Sequence, residues 1–212
     1  MVKSHSYPTG YWLLPMCCLL LVSACSQRIE SNPDNTDARL VNEETGYAVE
    51  GEFLVFFKKY GGLDSLGLPL SEEMIVEGWR VQYFEKGRLE YHPENDPGYR
   101  VTVGWLGLLL NRQRPPIPES RILDPRPKIY RYYSQTGHTL SGDFLHYFDA
   151  HGGSDRFGLP ISEPFLQAGQ LTQDFESARF FWTPGQAGSV TLEDTGRIHL
   201  DTIIHPEKNK TR

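Results

Sequence analysis

Glu85 and Glu90 are the two residues of this chain best spaced for chemistry, because a pair of neighbouring carboxylates can divide the acid and base roles of glycoside cleavage. Their counterparts 91 residues further on are Glu176 and Phe181, so the pair is not kept where the chain repeats itself. His151-Gly152-Gly153 has the form of a run that offers backbone N–H groups to an oxyanion, but no Gly-x-Ser-x-Gly elbow supplies a nucleophile. The equivalent Tyr60-Gly61-Gly62 points instead to a helix end in both places. His138, His146 and His151 lack the i, i+4 spacing that puts two imidazoles on one helical face, and no phosphate-cradling glycine loop is present. The expectation is a protein with no catalytic residue, no metal and no cofactor.

More is promised by polar residues that occur twice. Gln82, Glu85 and Arg88 recur as Gln173, Glu176 and Arg179, and with Trp79, Tyr83 and Tyr91 they form the candidate ligand-binding set. Flat aromatic faces with polar edges suit sugar rings. Each of these residues also has a structural reading, in which Glu85 and Arg88 pair across a turn and contribute roughly 0–1 kcal/mol. Phe84 and Phe175 recur and read as core, whereas Tyr83 is replaced by Asp174 and reads as surface.

The elements that must carry these residues follow from the repetition itself. Residues 46–93 and 137–184 align without a gap and are identical at 19 of 48 positions, mostly glycines, aromatics and a few charges. Phe53, Phe56, Phe57 and Tyr60 fall at i, i+3, i+4 and i+7, as do Phe144, Tyr147, Phe148 and His151, which predicts two short helices with an aromatic face. Glu52 and Asp143 lie in their first turns, and the paired glycines supply a left-handed stop. After a turn at Gly67-Leu68-Pro69 or Gly158-Leu159-Pro160, residues 79–84 and 88–92 read as a hairpin, mirrored by 170–175 and 179–182. Further strands are expected at 100–103 and 189–192. The fold class is therefore α+β: two homologous repeats, each a short aromatic-faced helix packed on a hairpin or small antiparallel sheet.

Around the repeats the chain divides into residues 1–24 as a lipoprotein signal peptide, 25–45 as a flexible tether, 46–110 as the first repeat, 111–130 as a proline-rich connector, 131–204 as the second repeat and 205–212 as a disordered tail. The signal is read from Lys3, the apolar run 12–21 and the small residues before Cys25. Val22-Ser23-Ala24-Cys25 resembles a lipobox, which implies lipidation of Cys25 and an anchor rather than a spanning helix. Pro115, Pro116, Pro118, Pro125 and Pro127 stiffen the connector, whose Arg112, Arg114, Arg121, Arg126 and Lys128 make a mild basic stripe read as solvation.

The whole chain of 212 residues carries a net charge of −6, which gives no footprint for nucleic acid. All three cysteines fall at or before Cys25, so no disulfide is available to the repeats. Packing has to supply the stability.

Leu66-Gly67-Leu68-Pro69 and Phe157-Gly158-Leu159-Pro160, each preceded by Gly-Gly and followed by Ser-Glu, a glycine and Phe-Glu, resemble the LGFP repeat of exported bacterial proteins. Leu68 and Leu159 stand where that repeat has its aromatic. The resemblance implies association with the cell wall and supplies no catalytic residue. Expected, then, is an exported protein lipid-anchored to the outer face of a bacterial membrane, with a non-catalytic module that binds a cell-wall polymer or glycan. A polysaccharide-acting hydrolase and a structural or protein-interaction module are the alternatives.

Overall fold

The computed structural model describes residues 38–118, 120, 130–183 and 190–207. The export signal, Cys25, most of the expected tether, most of residues 119–129 and the end of the tail lie outside the described residues. Those that are described belong to one compact unit, Asn32–Arg212, of mixed α+β structure with six α-helices and four small antiparallel sheets.

The first strand corrects the expected extent of the tether. β1 (Arg39–Val41) pairs antiparallel with β2 (Ala48–Glu50), and Asn42 Oδ1 accepts the Glu44 and Thr45 N–H groups at 3.1 and 3.0 Å to close the turn. Three residues are too few to show a period, and the order comes from a partner strand rather than from a face of their own.

α1 (Gly51–Lys59) buries Phe53, Phe56 and Phe57 of the stripe that its spacing predicts, with Leu54 beside them, while Tyr60 is its C-cap and only partly buried. It stops at Gly61, whose φ of +91° is left-handed, and the chain turns directly into α2 (Gly62–Leu66). That five-residue helix is absent from the sequence reading because one turn and a half cannot display a face. Leu66 at its end is fully buried.

Four strands follow: β3 (Met74–Val76), β4 (Trp79–Phe84), β5 (Gly87–Tyr91) and β6 (Val101–Val103), hydrogen-bonded in that order. The β3–β4 link, Glu77-Gly78, has positive φ at both residues, the geometry that matches the twist of a two-residue hairpin. Phe84, Leu89 and Val103 pack against the aromatic face of α1. α3 (Leu106–Leu109) leaves the sheet, and residues 111–118 run along the second half of the chain, where Arg114 N–H donates to Ile161 O at 2.9 Å and Ile117 N–H to Gly137 O at 2.8 Å.

The same order then returns. β7 (Tyr130–Tyr133) pairs with β8 (His138–Ser141), α4 (Gly142–Ala150) and α5 (Gly153–Phe157) follow, and β9 (Phe165–Gln167), β10 (Gln170–Asp174), β11 (Arg179–Trp182) and β12 (Val190–Leu192) form the other four-stranded sheet. Its core is Phe144, Leu145, Phe148, Phe157, Phe175 and Phe180. Phe84 and Phe175 are both fully buried, so truncating either to Ala costs about 3–5 kcal/mol.

Each half also lends a helix to the other. The N-terminus of α3 lies on the β10–β11 turn, with Gly107 N–H donating to Glu176 O at 2.8 Å. α6 (Thr195–Ile204) lies on the β4–β5 turn, with Arg197 N–H donating to Glu85 O at 3.1 Å. A Cβ at Gly107 would overlap the carbonyl of Phe175, and one at Gly196 the carbonyl of Phe84. Between these contacts Arg156, fully buried, donates from Nε to Ser65 Oγ at 3.0 Å and from Nη2 to Ser65 O at 2.8 Å. Burial pushes its guanidinium down to about 10, so it stays charged at neutral pH.

Candidate functional site

The residues singled out by recurrence are mostly drawn into the fold. Gln82 and Gln173 are fully buried, and their Nε2 groups donate to Ala48 O and Ser71 O in one half, and to Thr139 O and Ser162 O in the other. Each ties the strand before the helix to the Ser-Glu segment after it. Glu85 Oε2 accepts the Leu68 N–H at 3.1 Å and Glu176 Oε2 the Leu159 N–H at 2.8 Å, so these carboxylates hold the Gly-Leu-Pro turns. Glu85 also accepts from Arg197 Nη2 at 2.8 Å, a contact between the halves.

The expected pairing of Glu85 with Arg88 is not the one formed. Arg88 is buried and reaches Glu90 and the Tyr83 hydroxyl, the latter at 3.0 Å from Nη1. Arg179 reaches Asp174 at 2.6 Å and Glu193 at 3.5 Å. Neighbouring residues in a strand point to opposite faces, and a hairpin turn carboxylate aims back under the preceding loop instead of along the ribbon. Glu85 and Glu90, the candidate acid–base pair, are thus separately engaged: Glu90 faces Arg88 and His92, Glu85 faces the turn and Arg197.

Among the aromatics, Tyr83 overturns its reading as a surface residue. It is fully buried because α6 covers it, with its hydroxyl 3.0 Å from His199 Nδ1. Arg88 donates to the Tyr83 oxygen, which leaves the Tyr83 hydrogen for a neutral His199 ring. Burial, then the Arg88 charge, pushes His199 down to about 4, while burial raises Tyr83. Tyr91 is covered by the Arg80 guanidinium, 4.1 Å above its ring. Trp79 remains 37% exposed and lies against His92 with ring centroids 4.2 Å apart. Of the basic stripe, Arg112 is engaged, with Nη1 2.5 Å from Glu193, while Arg114 is exposed with its guanidinium 4.2 Å over Phe165; Arg121, Arg126 and Lys128 lie outside the described residues.

His151 Nδ1 lies 2.7 Å from Tyr147 O and its ring stacks on Tyr147, so His-Gly-Gly is a helix end. Among the described residues no group of three or more His, Cys, Asp or Glu side chains could hold a metal ion.

An open groove of about 530 Å³ lies elsewhere, where α1 faces the β5–β6 connection. Val55, Phe56 and Lys59 of α1 form one wall, and Tyr99, Arg100 and Thr102 the other. The connection is well fixed: Pro97–Tyr99 is a 3₁₀ turn, Asn95 Nδ2 donates to Tyr99 O at 3.2 Å, and His92 N–H donates to Arg100 O at 2.6 Å. It holds Tyr99 65% exposed at the rim.

The second half contributes Asp155 of α5, whose Oδ2 accepts the Tyr60 hydroxyl at 3.1 Å. Gly152 lets the Tyr60 ring approach, since a Cβ there would come within 2.7 Å of it. Lys59 Nζ is 4.8 Å above the Tyr60 ring, and the nearness of that tyrosine raises its pKa. Glu52, at one end, is paired with Arg80 at 3.1 Å. Burial pushes the Glu52 carboxyl up, but its own N–H and Arg80 outweigh that and leave it lowered.

None of the residues chosen for recurrence lines this groove. Its signal was the turn sequence Asn95-Asp96-Pro97-Gly98 followed by Tyr99-Arg100, which presents an aromatic and a cation on a rigid loop. No protein-family model matches the chain, and no curated protein matches its sequence.

Proposed function

We propose that the chain is a lipid-anchored protein of the bacterial envelope, anchored through Cys25, whose α+β module arose by internal duplication and binds a cell-wall polymer without cleaving it. The single observation that carries the binding reading is the groove between α1 and the 97–102 connection: preformed, aromatic on two sides and edged with polar groups. The matching order of elements in the two halves supports the duplication, and the exchanged helices α3 and α6 make both copies necessary to one body. The LGFP-like motifs support the wall as the place of action. The prior engagement of Glu85 and Glu90 favours binding over acid–base chemistry.

Co-sedimentation of the protein with purified cell walls tests the reading. Retention with no sugar released is the expected result; release of soluble fragments would make it a hydrolase, and no retention would leave a protein-interaction role.

A further inference from the structure

We infer that the groove beside Tyr99 takes a carboxylate-bearing sugar, its acid group received by Lys59 and Arg100 and its ring laid against Tyr99. The inference rests on the wall-polymer reading and narrows it to a ligand class.

Charge bookkeeping points to an anion. Of the two carboxylates on the wall, Glu52 is already matched by Arg80, and Asp155 accepts the Tyr60 hydroxyl. Among the described residues neither Lys59 nor Arg100 has a carboxylate within ion-pair distance; Arg100 Nε donates only to Asn95 O, at 3.4 Å. Two cations against Asp155 leave one positive charge, in a chain whose overall charge is −6. One surplus charge fits a carboxylate better than a phosphate monoester, which carries nearly two at neutral pH. A planar guanidinium gripping a carboxylate through two N–H groups also fixes orientation.

The rest of the wall points to a sugar. Val55, Phe56 and the Tyr99 ring offer apolar surface for the C–H face of a pyranose, while the Thr102 hydroxyl and Asp155 offer partners for its hydroxyls. Tyr99 is held in place by its backbone contacts, so little order has to be gained on binding.

The test is a calorimetric titration of the full chain, kept in non-denaturing detergent, with a trisaccharide bearing one uronic acid and with the methyl ester of the same trisaccharide. The acid is expected to bind about tenfold more tightly than the ester, as loss of one charge-assisted contact implies. Arg100→Gln and Lys59→Gln should abolish that preference, whereas Tyr99→Ala should weaken acid and ester alike. Thermal unfolding of each variant should match the parent, since these side chains lie at the surface. Equal affinity for acid and ester, or a preference that survives both cation variants, overturns the inference.

The failures are separable. A protein still retained on walls but indifferent to the carboxylate refutes the ligand class alone. Acid-selective binding without wall retention refutes the wall reading and leaves the groove assignment standing.

Discussion

Replacing His199 with Gln should remove a specific part of the protein's acid sensitivity. His199 is carried by α6 from the second half and buried against the first, facing Tyr83 of β4 with Arg88 and Glu90 of β5 behind it. Protonation would make Nδ1 a donor toward Tyr83, so the tyrosine hydrogen would lose its acceptor, and it would set a second cation beside Arg88. The ring's folded pKa is lowered from 6.5 to about 4, so above the unfolded value it contributes no pH dependence. As pH falls from there toward 4 the unfolded chain binds the proton first, and stability is progressively lost.

At about pH 5 the ideal loss from this shift is about 2 kcal/mol, or about 1–2 kcal/mol once water reaching part of the ring is allowed for. Urea unfolding of the parent and His199→Gln at about pH 7.5 and about pH 5 reads the difference directly, because all other titrating groups are common to both. The parent should lose about 1–2 kcal/mol more on acidification than the variant, equivalent to a roughly 2–8 °C larger fall in Tm. Equal losses, or a larger loss in the variant, would refute the reasoning that α6 docks with a neutral imidazole on Tyr83.

Other perturbations probe other joints. Gly107→Ala and Gly196→Ala should each cost about 3 kcal/mol or more in thermal unfolding, because the new methyl meets a backbone carbonyl of the opposite half and that backbone cannot swing aside. Arg156→Ala should destabilise by about 3–5 kcal/mol, whereas Arg156→Met, which keeps the volume and removes a buried charge that has no carboxylate partner among the described residues, should cost far less in the same denaturation assay. Ala168 holds a left-handed φ of +50° at the first position of a two-residue turn, so Ala168→Asn should stabilise by about 0.5–1 kcal/mol, seen as a higher urea midpoint. Lipid labelling of the protein should vanish in Cys25→Ser, and persistence of the label would reject the lipobox.

Much of the frame was legible because it rests on local periods. The aromatic stripes of 53–60 and 144–151, the hairpins around Glu85 and Glu176 and the closing strands at 101–103 and 190–192 all announce themselves within a dozen residues. What escaped is what depends on residues far apart. Tyr83 differs from Asp174 because one lies under His199 and the other pairs with Arg179, and neither partner is visible from the strand alone. The recurring Gln, Glu and Arg read as ligand contacts in the sequence, because recurrence does not distinguish a residue that holds a turn from one that holds a ligand. The groove combines α1, a loop and Asp155 from the other half, so no single window of sequence contains it.

Hydrogen exchange of the protein with and without solubilised wall fragments will show where the polymer lies. Binding in the groove predicts slowed exchange confined to the end of α1 near Lys59 and Tyr60 and to residues 97–102, and less slowing there in Tyr99→Ala at the same fragment concentration. Slowing at the β4–β5 and β10–β11 hairpins with the groove unchanged, or no slowing anywhere, would contradict it.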